Sequence, residues 1–333
     1  MPSSEFDLIA TINERMPAAG PRVRVPSGDD AAVVEPRAAS AVTVDAIVDG
    51  VHFVLDSFGP EAVGRKALAA SLSDLAAMGA AQGEAYVVVA APEDLADEEL
   101  LGIADGLAET AIREEVTIAG GDLVRSPVLV VSVTAIGYEP GGSRFVTRRG
   151  AKPRDLVAMT GELGGAAAAV ELMEAGERRG DPADRGASLL ERQLDPMPRL
   201  REGRALAKAG ATAMIDISDG LGADAGHLAS ASGCSLQIDL GRMPVAAGVA
   251  EVAGGDEAAI ELAASGGEDF ELLATVPREH FATAAQAVAD AGWTLTEIGY
   301  VTEGQGVTLK LPGGGELEPR GFDQRRHPAH SSD

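Results

Sequence analysis

At 333 residues, with 45% hydrophobic content, the chain has room for about two domains of ~100–200 residues, each with its own core. Its 52 acidic and 27 basic residues give a formal net charge of −25, which disfavours nucleic acid and anionic membrane as partners. A single cysteine, Cys234, excludes an intrachain disulfide and a multi-cysteine zinc site. The opening Met-Pro-Ser-Ser-Glu-Phe-Asp lacks a basic and an apolar signal region, and no apolar run approaches the ~18 residues of a membrane span. The expectation is a cytoplasmic protein.

Taken in order, the β-branched runs 41–44, 85–90, 116–119 and 128–136 predict strands, and 61–79 and 98–113 predict helices. In the first helix Leu68, Leu72 and Leu75 form the core stripe. Asp74 lies six residues after Leu68, which turns it about 120° off that stripe and toward a site. The breaker clusters Gly137–Arg144 and Arg149–Asp155 predict a boundary between domains 1–140 and 150–325, with a tail over 326–333. The second half restarts with a strand at 156–159 and an Ala-rich helix after Gly165. The charged stretch 174–191 predicts an exposed loop or helix end, and strands recur at 213–217, 235–239, 270–276 and 295–300. This order is not a clean β-α-β-α alternation, and it favours two α+β domains.

Six motifs set an acid beside glycine or at the end of an apolar strand: Gly28-Asp29-Asp30, Thr43-Val44-Asp45, Ser73-Asp74, Gly120-Gly121-Asp122, Asp216-Ile217-Ser218-Asp219-Gly220 and Gly266-Gly267-Glu268-Asp269. Carboxylates are natural ligands of Mg²⁺, and neighbouring glycines let backbone N–H groups approach phosphate. Each motif alone also reads as an ordinary turn, and Ser218-Asp219-Gly220 as the cap of the helix that follows. Ser73-Asp74 within a helix is less easily explained so, because Asp gains little there. No P-loop, dinucleotide fingerprint or protein-kinase signature occurs.

In this order the motifs resemble those of the thiamine-monophosphate kinases. The most specific strings are Lys66-Ala-Leu-Ala-Ala-Ser-Leu-Ser-Asp-Leu-Ala-Ala-Met-Gly79, Met214-Ile-Asp-Ile-Ser-Asp-Gly-Leu221, Ser265-Gly-Gly-Glu-Asp-Phe-Glu-Leu272 and Thr147-Arg-Arg-Gly-Ala-Lys-Pro153. The resemblance implies a two-domain α+β protomer of the aminoimidazole-ribonucleotide synthetase and selenophosphate synthetase type. Its N-terminal domain would pair into a central β-barrel in a homodimer, and its C-terminal domain would be an α/β sandwich. The implied reaction is ATP-dependent phosphorylation of thiamine monophosphate to thiamine diphosphate, with several Mg²⁺ ions and ATP as co-substrate. Matched to this chain, Asp30, Thr43, Val44, Asp45, Asp74, Asp122, Asp216 and Asp219 fall at metal-binding positions. Gly121, Asp122, Arg148 and Ser218 fall at ATP positions, and His52, Glu268 and Phe322 at substrate positions.

The chain departs from the family pattern at Val44, Leu123, Val124 and Gly165. Val44 offers only a backbone carbonyl where a hydroxyl side chain is common. Two other readings are another enzyme of the same superfamily and a non-catalytic nucleotide- or metal-binding regulator. Cys234 is far from the N-terminus and the chain ends Ser-Ser-Asp, against the cysteines expected of a selenophosphate synthetase or of the hydrogenase-maturation relative.

Overall fold

The computed structural model describes residues 5–26, 31–141, 144–178 and 187–322. The described residues fold as two compact units, one of those within 5–75 and 81–139 and one of those within 76–80 and 140–322. No helix of the described residues is long and apolar enough to cross a membrane.

The first unit runs α1 (Glu5–Arg15), β1 (Val23–Val25), β2 (Val33–Val34), β3 (Ser40–Val48), α2 (Leu55–Phe58), α3 (Pro60–Ala77), β4 (Ala81–Ala91), α4 (Asp97–Arg113), β5 (Thr117–Arg125) and β6 (Val130–Tyr138). Four strands form one sheet in the order β3-β6-β4-β5, in which only β4 and β5 are parallel. Alternation along the strands buries Ile47, Ala85, Val87, Val131, Val133 and Ala135 on one face. Helix α3 lies over that face, since the Ser71 hydroxyl donates to the Val133 carbonyl at 3.1 Å. The opposite face carries Val42, Val44, Val88 and Val124, all 41–64% exposed. Helix α4 starts with Asp97, Glu98 and Glu99 and ends with Arg113, which matches the helix dipole at both ends. Its first free N–H groups are met in part by Glu99, whose carboxylate accepts from the Ala96 backbone at 2.9 Å.

Helices α3 and α4 approach backbone to backbone. A Cβ on Gly106 would meet the Glu61 carbonyl oxygen at 1.9 Å, and one on Gly64 the Ile103 carbonyl oxygen at 2.1 Å. Only glycine fits at this crossing. Strand β5 continues through Gly120-Gly121-Asp122, so this motif is extended strand and not the turn that its composition also allowed. A Cβ on Gly121 would lie 2.3 Å from the Val87 carbonyl oxygen.

The second unit contains β7 (Leu156–Thr160), α5 (Gly165–Glu174), α6 (Ala187–Leu194), α7 (Leu200–Ala209), β8 (Ala213–Ile217), α8 (Leu221–Ser232), β9 (Ser235–Asp239), α9 (Val249–Ala253), α10 (Asp256–Ser265), β10 (Glu271–Val276), α11 (Phe281–Asp290), β11 (Leu295–Thr302), β12 (Gly306–Lys310) and β13 (Glu316–Leu317). Its seven-stranded sheet has the order β13-β12-β9-β11-β7-β10-β8, antiparallel except for β12 against β9. Strands β7, β8 and β10 are buried along their whole length, as their near-continuous apolar runs require. Part of the stretch read as exposed is not so: α6 buries Leu189 and Leu190, and Leu194 just beyond that stretch. The charges of Glu191 and Arg192 lie between these leucines in sequence and mask their helical spacing. Residues 179–186, and the tail from 323 onward, lie outside the described residues.

One buried ion pair crosses this unit. Arg199 donates two hydrogen bonds to Glu271, at 2.9 and 2.8 Å, and lies 3.6 Å over the Trp293 ring. Thr160 and the Trp293 indole donate to the same carboxylate, so its buried charge is matched by four donors.

The crossing of α3 and α4 gives a direct stability test. Gly106→Ala should lose about 1–3 kcal/mol to overpacking. Gly226→Ala should gain about 0.5–1 kcal/mol, because Gly226 is inside α8 with nothing within 4 Å of its added Cβ. Urea unfolding of both variants separates the two outcomes.

Candidate functional site

In the first unit strand alternation places Thr43 and Asp45 on the face covered by α3. From α3, Asp74 reaches that face and accepts a hydrogen bond from the Thr43 hydroxyl. Burial pushes the Asp45 carboxyl above its ordinary range, and the nearby charge of Asp74 adds to this, opposed in part by the neighbouring Ser71 and Thr43 hydroxyls. Asp45 Oδ2 is buried and has no hydrogen-bond partner. A carboxylate oxygen held out of water beside a second carboxylate is short of positive charge, and a hard cation supplies what is missing. Thr43, Asp45 and Asp74 therefore fit a Mg²⁺ ion. Among the described residues no three His, Cys, Asp or Glu side chains gather at one point, so such an ion would complete its shell with water or phosphate oxygen.

Val44 points to the opposite face and is 64% exposed, leaving only its backbone to face the acids. Asp122 is on β5, at the other edge of the sheet from β3. Pairing aligns it with Val88, Ser132 and Ala46, so its side chain stands on the face away from Asp45. There it is exposed and caps the Leu123 N–H at 3.0 Å. Gly121 is aligned with Val87, Val133 and Asp45. His52 follows β3, and its Nδ1 accepts from the Val48 N–H at 3.1 Å, which assigns the ring proton to Nε2. The buried Lys66 ammonium donates to the His52 carbonyl at 2.8 Å and stands 5.2 Å from the Phe58 ring centroid. Asp30 lies outside the described residues.

In the second unit β8 ends at Asp216 and Ile217, and the chain turns through Ser218-Asp219-Gly220 into α8. The cap of α8 is Gly220, with no side-chain capping bond, so neither Ser218 nor Asp219 caps this helix. The polarity is reversed: one oxygen of Asp224, in the first turn, accepts from the N–H groups of Ser218, Asp219 and Gly220 at 3.0, 3.0 and 3.1 Å. Burial, then the charge of Asp216, pushes the Asp224 carboxyl up to about 7, opposed by the hydrogen bonds from that loop. Asp224 is the residue that motif reading missed. The available signal was an acid in the first turn of a helix, where the dipole favours it.

The Gly266–Phe270 loop packs against this turn. Glu268 and Phe270 both have left-handed backbone, φ +66° and +51°, at roughly 1–2 kcal/mol each for a residue with a Cβ. Three ties offset that strain. The Glu268 N–H donates to the Ser218 carbonyl at 2.9 Å and the Phe270 N–H to that of Ile217 at 3.0 Å. Asp269 accepts from the N–H groups of Gly164 and Ala166, at 2.7 and 3.0 Å, at the start of α5. Gly267 has no room for a side chain, because a Cβ would lie 2.3 Å from the Ser218 carbonyl oxygen.

The Phe322 N–H donates to the Asp219 carbonyl at 2.9 Å, which brings Phe322 to the same loop pair as Ser218, Asp219 and Glu268. Arg148 is not brought there. Its carbonyl accepts from Ser232 at 2.9 Å, and Ser232 is the last residue of α8. A 12-residue helix, about 18 Å long, separates that anchor from Ser218.

Two family models match the chain, the N-terminal domain of AIR synthase related proteins over residues 28–138 and their C-terminal domain over residues 152–312. Fold and site thus define an AIR synthase-related protein. A thiamine-monophosphate kinase of Caulobacter vibrioides is 37% identical over 321 residues, 94% of this chain and 88% of that protein. The crystal structure of thiamine-monophosphate kinase from Stenotrophomonas maltophilia K279a superposes with a TM-score of 0.83 at 34% identity, over 93% of this chain and 97% of that one. A structure of AaThiL complexed with AMPPCP and TMP gives 0.77 at 32% identity, over 96% and 95%. The chain belongs to the thiamine-monophosphate kinase family.

Proposed function

We propose that the chain transfers the γ-phosphoryl group of ATP to thiamine monophosphate, forming thiamine diphosphate and ADP. The observation that carries this reading is the 32% identity, over nearly the whole chain, to a relative held with AMPPCP and TMP. The partly buried carboxylates Asp45 and Asp74 support it from physics alone, one Asp45 oxygen being buried with no hydrogen-bond partner beside a second negative charge. When bound there and at Asp216 and Asp219, Mg²⁺ neutralises phosphate oxygens that an acidic protein would otherwise repel.

The protein's own residues then bind and orient. Thr43 fixes the rotamer of Asp74. The loop formed by Ser218-Asp219-Gly220, tied down by Asp224, presents its side chains to nucleotide and metal. Glu268, His52 and Phe322 hold the thiamine phosphate, with Phe322 offering an aromatic face to a pyrimidine ring. No general base is required. A phosphate monoester, with its second pKa at about 6, is mostly dianionic at neutral pH and attacks in line once positioned.

The working form is a homodimer. The face with exposed Val42, Val44, Val88 and Val124, which also carries Ser132, Thr134 and Asp122, offers apolar sheet surface of the kind that an interface covers. Pairing two such faces would close the sheets into a β-barrel. It would also cover Asp122, which stands on that face.

A coupled assay for thiamine diphosphate tests the reaction. Asp74→Asn and Asp216→Asn should each lose roughly 100-fold or more in kcat/KM while unfolding cooperatively. Near wild-type rates in both would refute the metal assignment. Turnover with a formylglycinamidine nucleotide, and none with thiamine monophosphate, would refute the substrate. Sedimentation tests the dimer: Val44→Lys should shift it to monomer, and an unchanged dimer would place the interface elsewhere.

A further inference from the structure

Gln193 is a polar side chain of α6 that none of the readings above uses. It is 2% exposed, set among Leu189, Leu190 and Leu194 of the same helix. Burying an amide there is costly unless its groups are paired. Its Nε2 donates to Glu268 Oε2 at 2.9 Å and to the Ala166 carbonyl at 3.3 Å. Ala166 is one of the two residues whose N–H groups hold Asp269. The α5 terminus is thus tied to Asp269 through its N–H groups and to Gln193 through a carbonyl, with Glu268 between them in the chain. Backbone, next residue and carboxylate of Glu268 are each fixed by a separate bond.

We propose that Gln193 is a positioning residue that aims the Glu268 carboxylate at the organic part of the substrate. This rests on the reading of Glu268 as a substrate contact. The chemistry of the pair favours such a role over simple packing. An amide N–H orients a carboxylate without cancelling its charge, whereas an arginine or lysine would neutralise it. The Gln193 bond therefore sets the rotamer of Glu268 without itself cancelling the carboxylate's charge. A carboxylate in that state suits a ligand with a fixed cationic ring and an amino group, and thiamine monophosphate has both. The left-handed backbone at Glu268 fits the same role, since strain of this kind persists where the surroundings hold a residue for function.

The test is a double-mutant cycle in steady-state kinetics, with wild type, Gln193→Met, Glu268→Gln and the double variant. Methionine keeps the length of the side chain and removes the donor. Gln193→Met should raise KM for thiamine monophosphate about 10-fold, as loss of a hydrogen bond to a charged group implies, and leave KM for ATP within about twofold. In the Glu268→Gln background it should have no further effect, because the residue acts only through that carboxylate. Should Gln193→Met fail to fold, Gln193→Glu keeps the shape and sets a second carboxylate against the first; it should raise the same KM by more than 10-fold. Additive effects in the cycle, or equal rises in both KM values, would overturn the positioning role. Absence of turnover in the wild type would instead remove the kinase reading on which the role rests.

Discussion

Two partly buried carboxylates held close together set the terms for the first unit. Asp45 comes from a strand and Asp74 from the helix laid over it. The Thr43 hydroxyl bonds to Asp74, and burial with mutual repulsion raises the Asp45 carboxyl. The described structure leaves one Asp45 oxygen buried and unpaired. Such an arrangement is costly for folding alone. It is retained at a benefit where a cation and an anionic ligand arrive together, and the proposed phosphoryl transfer is a reaction of that kind. The glycines of α3 and α4 let these two helices meet backbone to backbone.

The second unit manages its acids by another route. Asp224 and Asp269 are spent on backbone N–H groups, the first at the Ser218–Gly220 turn and the second at the start of α5. These two carboxylates shape the loops, and in the proposed function Asp216, Asp219 and Glu268 are the acids that meet ligands. In this account an acidic motif therefore contains two kinds of carboxylate, one that builds the loop and one that the loop presents. Glu268 and Asp269 are adjacent and belong to different kinds. Fully buried Glu271, two residues on, is matched within the protein by Arg199, Thr160 and Trp293.

Much of this fold was legible because β-branched runs mark strands, as at 41–44 and 85–90, which lie within β3 and β4. Helix α3 was legible from Leu68, Leu72 and Leu75, and the same spacing turned Asp74 toward Thr43. Helix α6 was hidden by the charges between its buried leucines. Strand β12 is short and starts at a glycine, so it has little local signal. Asp122 misleads for a different reason: Gly-Gly-Asp reads as a turn, and tertiary pairing with β4 stretches it into strand. That Asp45 and Asp122 stand on opposite faces follows from register, which no local pattern contains. Asp224 was missed because its partners are backbone N–H groups, which look alike at every residue in a sequence.

The central claim is that the acids of this chain bind nucleotide only through a divalent cation. Calorimetric titration of the wild-type chain with AMPPCP, in Mg²⁺ and again in EDTA, tests it most directly, with Asp45→Asn as the site control. Binding is expected in Mg²⁺, none in EDTA, and an affinity weakened about 10-fold or more in the variant, as loss of one charged ligand implies. Equal binding with and without the metal would contradict the account.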